Sequence, residues 1–214
     1  MQVLRTRPEL EAYLASVSHR SLGFVPTMGA LHLGHISLIL ESKKRCQITG
    51  VSIFVNPTQF GANEDFSKYP RPEADDLKRC EQAQVDFVWL PSEADIYPNA
   101  ESKKHFPHQS PLFDILCGAF RPGHFAGVVQ VVNLLLEAVV PSHLFLGEKD
   151  YQQFVILKNF VAEKGFDPNF GARPLNRAIQ KYLEDPVAEE ILKGEVTEGG
   201  TILADYEGTG EELT

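Results

Sequence analysis

Two histidines three residues apart close the segment Pro26-Thr27-Met28-Gly29-Ala30-Leu31-His32-Leu33-Gly34-His35, and a helical run opens at Ile36. On one helical face, His32 and His35 could donate hydrogen bonds to phosphoryl oxygens as negative charge develops on them. Gly29 and Gly34 let the backbone approach a ligand, and a helix N-terminus offers unpaired N–H groups to an anion. The same spacing also suits a pair of surface or capping histidines. Metal ligation would need a third ligand at a recognised spacing, which this sequence does not offer. Side chains on such a turn serve a ligand more than a core, so removing either histidine is expected to change stability little.

Three further segments carry polar chemistry. Asn56-Pro57-Thr58-Gln59-Phe60-Gly61 presents two amides, which recognise hydroxyls and carboxylates without adding charge, although Asn-Pro also starts turns on its own account. Gly118-Ala119-Phe120-Arg121-Pro122-Gly123-His124-Phe125 offers the Arg121 guanidinium in a loop stiffened by proline, either closing over a ligand or simply solvated. Gly147-Glu148-Lys149-Asp150-Tyr151-Gln152-Gln153 supplies a lysine able to neutralise phosphate and an aspartate able to accept from ribose hydroxyls. Its plainer reading is a polar loop in which Asp150 caps the next helix. Taken together, the four segments favour a nucleotide plus a small polar acid.

The elements that must position these turns are short apolar runs, each ending in one of them. Strands are predicted at Leu22 to Val25, Val51 to Val55, Phe87 to Leu90 and His143 to Leu146, and helices at about Pro8 to Val17, Ile36 to Cys46, Ala74 to Ala83 and Val128 to Val139. Strand and helix alternate, which implies parallel strands, right-handed crossovers and helices on both faces: a doubly wound α/β fold. In such sheets ligands bind beyond the carboxyl ends of the strands, where these polar turns converge.

Composition narrows the class. The 214 residues are 43% hydrophobic and 23% charged, ordinary values for a folded globular chain. The net charge of -9 is uneven, because residues 163–214 carry 12 acids and 5 bases while residues 1–162 carry 17 and 15. No basic stripe exists to hold nucleic-acid phosphates. An odd set of cysteines without a CxxC pair, an N-terminus without an apolar core segment and the lack of a long apolar run predict a cytoplasmic protein with neither nucleic acid nor membrane as partner.

The motifs above, with Val51-Ser52-Ile53-Phe54-Val55 before Asn56, Tyr69-Pro70-Arg71, and Arg121-Pro122-Gly123-His124-Phe125-Ala126-Gly127-Val128, are similar to those of the pantothenate synthetase family of the HIGH-motif nucleotidyltransferase superfamily over residues 1 to about 158. The resemblance implies a ligase in which pantoate attacks the α-phosphorus of ATP and β-alanine then displaces AMP from the pantoyl adenylate, with Mg2+ accompanying ATP. Carried over by position, His32, His35 and Lys149 are catalytic. Met28, Gly34, Gly147, Asp150 and Arg121 bind ATP, and Gln59, Gln153 and Asn56 bind pantoate. No protein-held metal is implied, and a second copy of the chain is a candidate partner. Leu33, Leu134 and Leu146 stand where the family often has Glu, Lys and Phe.

After the helix starting near Tyr151 the family continues with a Ser-Ser-Arg-Asn loop and a small lid domain, and that sequence does not occur in these 214 residues. Residues 162 to 206, with Gly171-Ala172-Arg173-Pro174, instead resemble the small C-terminal domain of a Clp-type AAA+ unfoldase. The expected organisation is a Rossmann-like ATP- and pantoate-binding domain over 1–160, a small α+β appendage over 161–206 and an acidic tail over 207–214. Ligase activity is then expected to be impaired for want of one wall of the ATP site. Rival readings are an interaction module working through the appendage, a nucleotide-binding remnant, and a zinc hydrolase using His32, His35, His105 and His108.

Overall fold

The computed structural model describes residues 1–61, 64, 66–99 and 110–164. His105, His108, Arg173 and, beyond residue 164, the segment expected over 162–206 to resemble a Clp-type domain lie outside the described residues. The chain divides into two compact units, Met1–Ile156 and Leu157–Thr214, and the sheet with its polar turns belongs to the first.

Five parallel strands form one sheet in the order β1-β4-β3-β2-β5, with β1 at Gln2–Leu4, β2 at Leu22–Thr27, β3 at Ile48–Ile53, β4 at Phe87–Trp89 and β5 at His143–Leu144. The helices are α1 (Arg7–Ser16), α2 (Leu33–Arg45), α3 (Glu73–Gln82), α4 (Glu93–Ile96), α5 (Cys117–Phe120), α6 (His124–Val139) and α7 (Tyr151–Lys164). The predicted doubly wound α/β class is present, and the polar turns follow its strands. The edge strand β1, only three residues long and mostly exposed, carries too little apolar pattern to be read from sequence.

Alternation along the strands decides which helix covers which face. Val25, Val51 and Val88, all fully buried, point with Ile39 of α2 and Cys80 of α3 into one cluster. Phe24 and Phe87 occupy the alternate positions, and Phe87 meets the Tyr13 ring of α1 at 4.9 Å. α6 packs against β2 and α1. With 13 of its 16 residues buried, from His124 to Val139, it has almost no polar face. Removing that much apolar surface from water, at about 25 cal/mol per Å², is what fixes α6 in the interior.

The strand order places a switch point at β2. From β2 the chain moves outward through β3 to β4, then crosses back to lay β5 on the other side of β2. Crossovers diverge from that point, leaving a crevice beyond the carboxyl ends of β2 and β5.

Candidate active site

The turn after β2 folds into an unusual shape because two consecutive residues, Gly29 (φ 85°) and Ala30 (φ 50°), have left-handed backbone. Such a conformation costs a non-glycine residue about 1 kcal/mol or more. It persists because Asp76 of α3, 2% exposed, accepts from the backbone N–H groups of Ala30 at 2.8 Å and Leu31 at 2.7 Å. A side chain at Gly29 would meet the Asp76 carboxylate at 3.0 Å. Asp76 sits beside Asp75 in the first turn of a helix, where acids are commonplace, so nothing in the sequence marks it.

That turn delivers His32 to the N-cap of α2 and His35 to its third position. The Gly34 N–H donates to Nδ1 of His32 at 3.1 Å, and the His32 N–H donates to Nδ1 of His35 at 3.2 Å. The rings lie 4.1 Å apart. Because each Nδ1 accepts, the proton of each neutral imidazole resides on Nε2, the nitrogen left to donate to a ligand. Burial, reinforced by His32, holds His35 below the ordinary imidazole value of 6.5 and therefore neutral at pH 7. Capping, one of the alternatives in the sequence, uses Nδ1 of both rings and leaves each Nε2 outside those bonds.

Lys149 and Asp150 approach from the turn after β5. Both are exposed and both act electrostatically on His35, Lys149 lowering and Asp150 raising its pKa. Gly147 precedes the 3-10 turn Glu148–Asp150 in extended conformation, and Asp150 closes that turn immediately before α7 begins at Tyr151. Of the two following glutamines, Gln152 is spent on the protein: it accepts from Cys117 N–H and donates to the Leu112 and Ile115 carbonyls. Gln153, half-buried, makes no side-chain hydrogen bond to the described residues.

The turn after β3 forms the other wall. Gln59, buried, donates to Sδ of Met28 at 2.9 Å and accepts from Nδ2 of Asn56 at 3.2 Å. Asn56 is 1% exposed, and its remaining capacity goes to the Gly127 carbonyl, to Thr58 and to Tyr97. It therefore holds Gln59 in place and has nothing left for a ligand. α6 can approach this turn because residue 127 is glycine, where a Cβ would come within 2.5 Å of the Thr58 carbonyl oxygen. Arg121, expected at ATP, is paired here with Glu64 at 2.6 Å and lies 3.0 Å from His124. Burial holds His124, like His35, below the ordinary imidazole value, and the Asp150 carboxylate opposes that at both rings as the least of the causes.

A cavity of about 310 Å³ opens beyond β2, β3 and β4, with Met28, Gly29, Val55 and Asp76 in its lining. A second, of about 560 Å³, lies at the opposite end of the sheet, around Gln2, Ile48 and Asp86, and includes none of the motif residues. The first shares Met28 and Gly29 with the histidine turn, but its lining does not include His32, His35, Gln59, Lys149, Asp150 or Gln153. Among the described residues no group of three or more His, Cys, Asp or Glu side chains is arranged to hold a metal, and no helix is long and apolar enough to cross a membrane.

Sheet order and the glycine-bearing turn at the switch point define a Rossmann-like, doubly wound α/β domain. The model of the Pantoate-beta-alanine ligase family matches residues 2–181, and the chain belongs to that family. The match runs to residue 181, past the end of the resemblance expected at about residue 158 and into the segment expected to be Clp-like, a reading that nothing else supports. The chain is 49% identical to the pantothenate synthetase of Campylobacter hominis over 172 residues, 80% of this chain and 62% of that relative, so it spans less than two thirds of that protein. It is 41% identical over 202 residues to the pantothenate synthetase of a Sulfurihydrogenibium species, covering 90% of this chain and 71% of the relative. The crystal structure of pantothenate synthetase from Thermus thermophilus superposes with a TM-score of 0.72 at 38% identity, covering 78% of this chain and 59% of that one. A pantoate-beta-alanine ligase from Francisella tularensis, solved in complex with beta-gamma ATP and β-alanine, gives a TM-score of 0.72 at 33% identity, covering 94% of this chain and 82% of that one.

Proposed function

We propose that this chain activates pantoate with ATP as the first half of a pantoate–β-alanine ligase reaction. The pantoate carboxylate attacks the α-phosphorus, the bond to the bridging oxygen breaks and pyrophosphate leaves. The β-alanine amine then attacks the acyl carbon and AMP departs. The observation that carries this reading is the pair of Nε2–H donors at the N-terminus of α2, beside Lys149 and Asp150 at the switch point.

In this reading His32 and His35 donate to the phosphate oxygens whose charge grows in the transition state, and Lys149 neutralises it. Gly34 lets the backbone come close, Asp150 and Gly147 take the ribose, and Met28 lies against the substrates through its backbone. Gln59 and Gln153 grip pantoate. Asn56 acts through Gln59, and Arg121 acts through the loop it ties to Glu64. Catalysis is positioning plus preorganised electrostatics, with no covalent enzyme intermediate. Mg2+ is proposed to arrive on the phosphates of ATP, since no described cluster would hold it alone. Three free cysteines fit work in a reducing cytoplasm.

An acyl adenylate must be shielded from water until the amine arrives. The Ser-Ser-Arg-Asn sequence is absent from these residues, so the 214-residue polypeptide is proposed to bind ATP weakly and to leak adenylate. Incubation with ATP, pantoate and β-alanine tests this directly. Pantoate-dependent AMP release with less than one pantothenate per AMP is the expected result. AMP release indifferent to pantoate overturns the function, and a ratio of one overturns the leak.

A further inference from the structure

A third histidine lies outside the His32–His35 pair, on the first turn of α6. His124 is 7% exposed. Its Nδ1 lies 2.9 Å from the Gln59 carbonyl oxygen and its Nε2 lies 3.0 Å from Nη1 of Arg121. A carbonyl can only accept and a guanidinium can only donate. Nδ1 therefore carries the proton and Nε2 is bare, the opposite tautomer from the two capping histidines. Arg121 is anchored in turn by Glu64, whose two oxygens take Nε at 2.6 Å and Nη2 at 3.1 Å. Glu64 also accepts from the Gly61 N–H at 2.9 Å. The chain Glu64, Arg121, His124 thus holds the Gln59 loop at both ends, by the Gly61 amide and by the Gln59 carbonyl.

We propose that His124 is a positioning residue that sets the Gln59 amide for the small-acid substrate, and that it does so only as a neutral ring, so that acid releases the Gln59 loop from Arg121. This rests on the reading that Gln59 grips pantoate. Protonating Nε2 would set two donors and two positive charges against each other across 3.0 Å. Among the groups around the ring, burial and Arg121 oppose the cation, whereas the Gln59 carbonyl, Glu64 and Asp150 favour it. Burial dominates and the balance falls below the ordinary value of 6.5.

Pantoate-dependent exchange of pyrophosphate into ATP, measured against pantoate concentration and pH, tests the proposal in the full chain. The proteins compared are wild type, His124→Phe and His124→Asn, with histidine tautomers read by 15N NMR. Asparagine keeps a donor for the Gln59 carbonyl but cannot titrate. His124 is expected as the Nδ1–H tautomer. His124→Phe should raise KM for pantoate about tenfold, the scale of one lost hydrogen bond, with kcat changed far less. His124→Asn should restore most of that KM and abolish the acid limb of its pH profile. Should His124→Phe not fold, the acid limb in His124→Asn decides alone. An Nε2–H tautomer, an unchanged pantoate KM in a folded His124→Phe protein, or an acid limb surviving in His124→Asn overturns the positioning role. A wild-type chain without pantoate-dependent exchange overturns the functional reading and this role together.

Discussion

The backbone N–H of His32 donates to Nδ1 of His35, so the two histidines cap α2 through Nδ1 and keep outside those bonds the Nε2–H groups that the proposed function assigns to phosphate. This capping geometry argues against the expectation that removing either would change stability little. His32→Ala or His35→Ala should each cost about 0.5–2 kcal/mol, the range for a lost N-cap, in urea denaturation. His32→Asn separates the two roles, because an asparagine oxygen can accept from the Gly34 N–H but places no donor where the imidazole Nε2 stood. It should recover the stability and not the activity.

Asp76 carries the strained turn, and its removal should be felt more widely than that of a surface acid. Asp76→Ala leaves the N–H groups of Ala30 and Leu31 without their acceptor and a left-handed alanine without support. A loss of roughly 2–4 kcal/mol is expected, from two hydrogen bonds to a charged group. Urea midpoints for the variant and the wild type check it, and a change under about 0.5 kcal/mol, the level of an ordinary surface substitution, would show that the turn holds itself.

The pH dependence has a definite sign. His35 and His124 both have folded pKa values below the ordinary 6.5, with burial the first cause in each. Below 6.5 the unfolded chain takes up protons that the native state resists, so stability is fully present above that value and falls as pH drops through the lowered folded values. Denaturation at a series of pH values should show this slope, reduced in His124→Asn.

Most of the scaffold was legible because strong periodicity marks long elements. The predicted helices at Pro8 to Val17 and Ala74 to Ala83 match α1 and α3 to within a residue at each end. The helix expected from Val128 begins earlier, at His124, because Gly123 with φ 80° starts it and the sequence shows only a loop there. The strand expected at Val51 to Val55 is observed at Ile48–Ile53; Gly50, tolerated there against the Phe87 ring, hides its first half. Among the candidate site residues, the histidines and amides stand out in the sequence because their turns are distinctive. Asp76, Glu64 and His124 act across separations of 45 to 65 residues, and no local pattern announces a partner that far away.

Adenylation of pantoate by these residues is tested most directly by exchange of labelled pyrophosphate into ATP by the 214-residue polypeptide, with and without pantoate, beside His35→Ala. Exchange is expected to require pantoate and to fall about 10²- to 10³-fold in the variant, the scale for losing one preorganised donor to the transition state. Exchange at the same rate in His35→Ala, or none in the wild type with pantoate present, would contradict it.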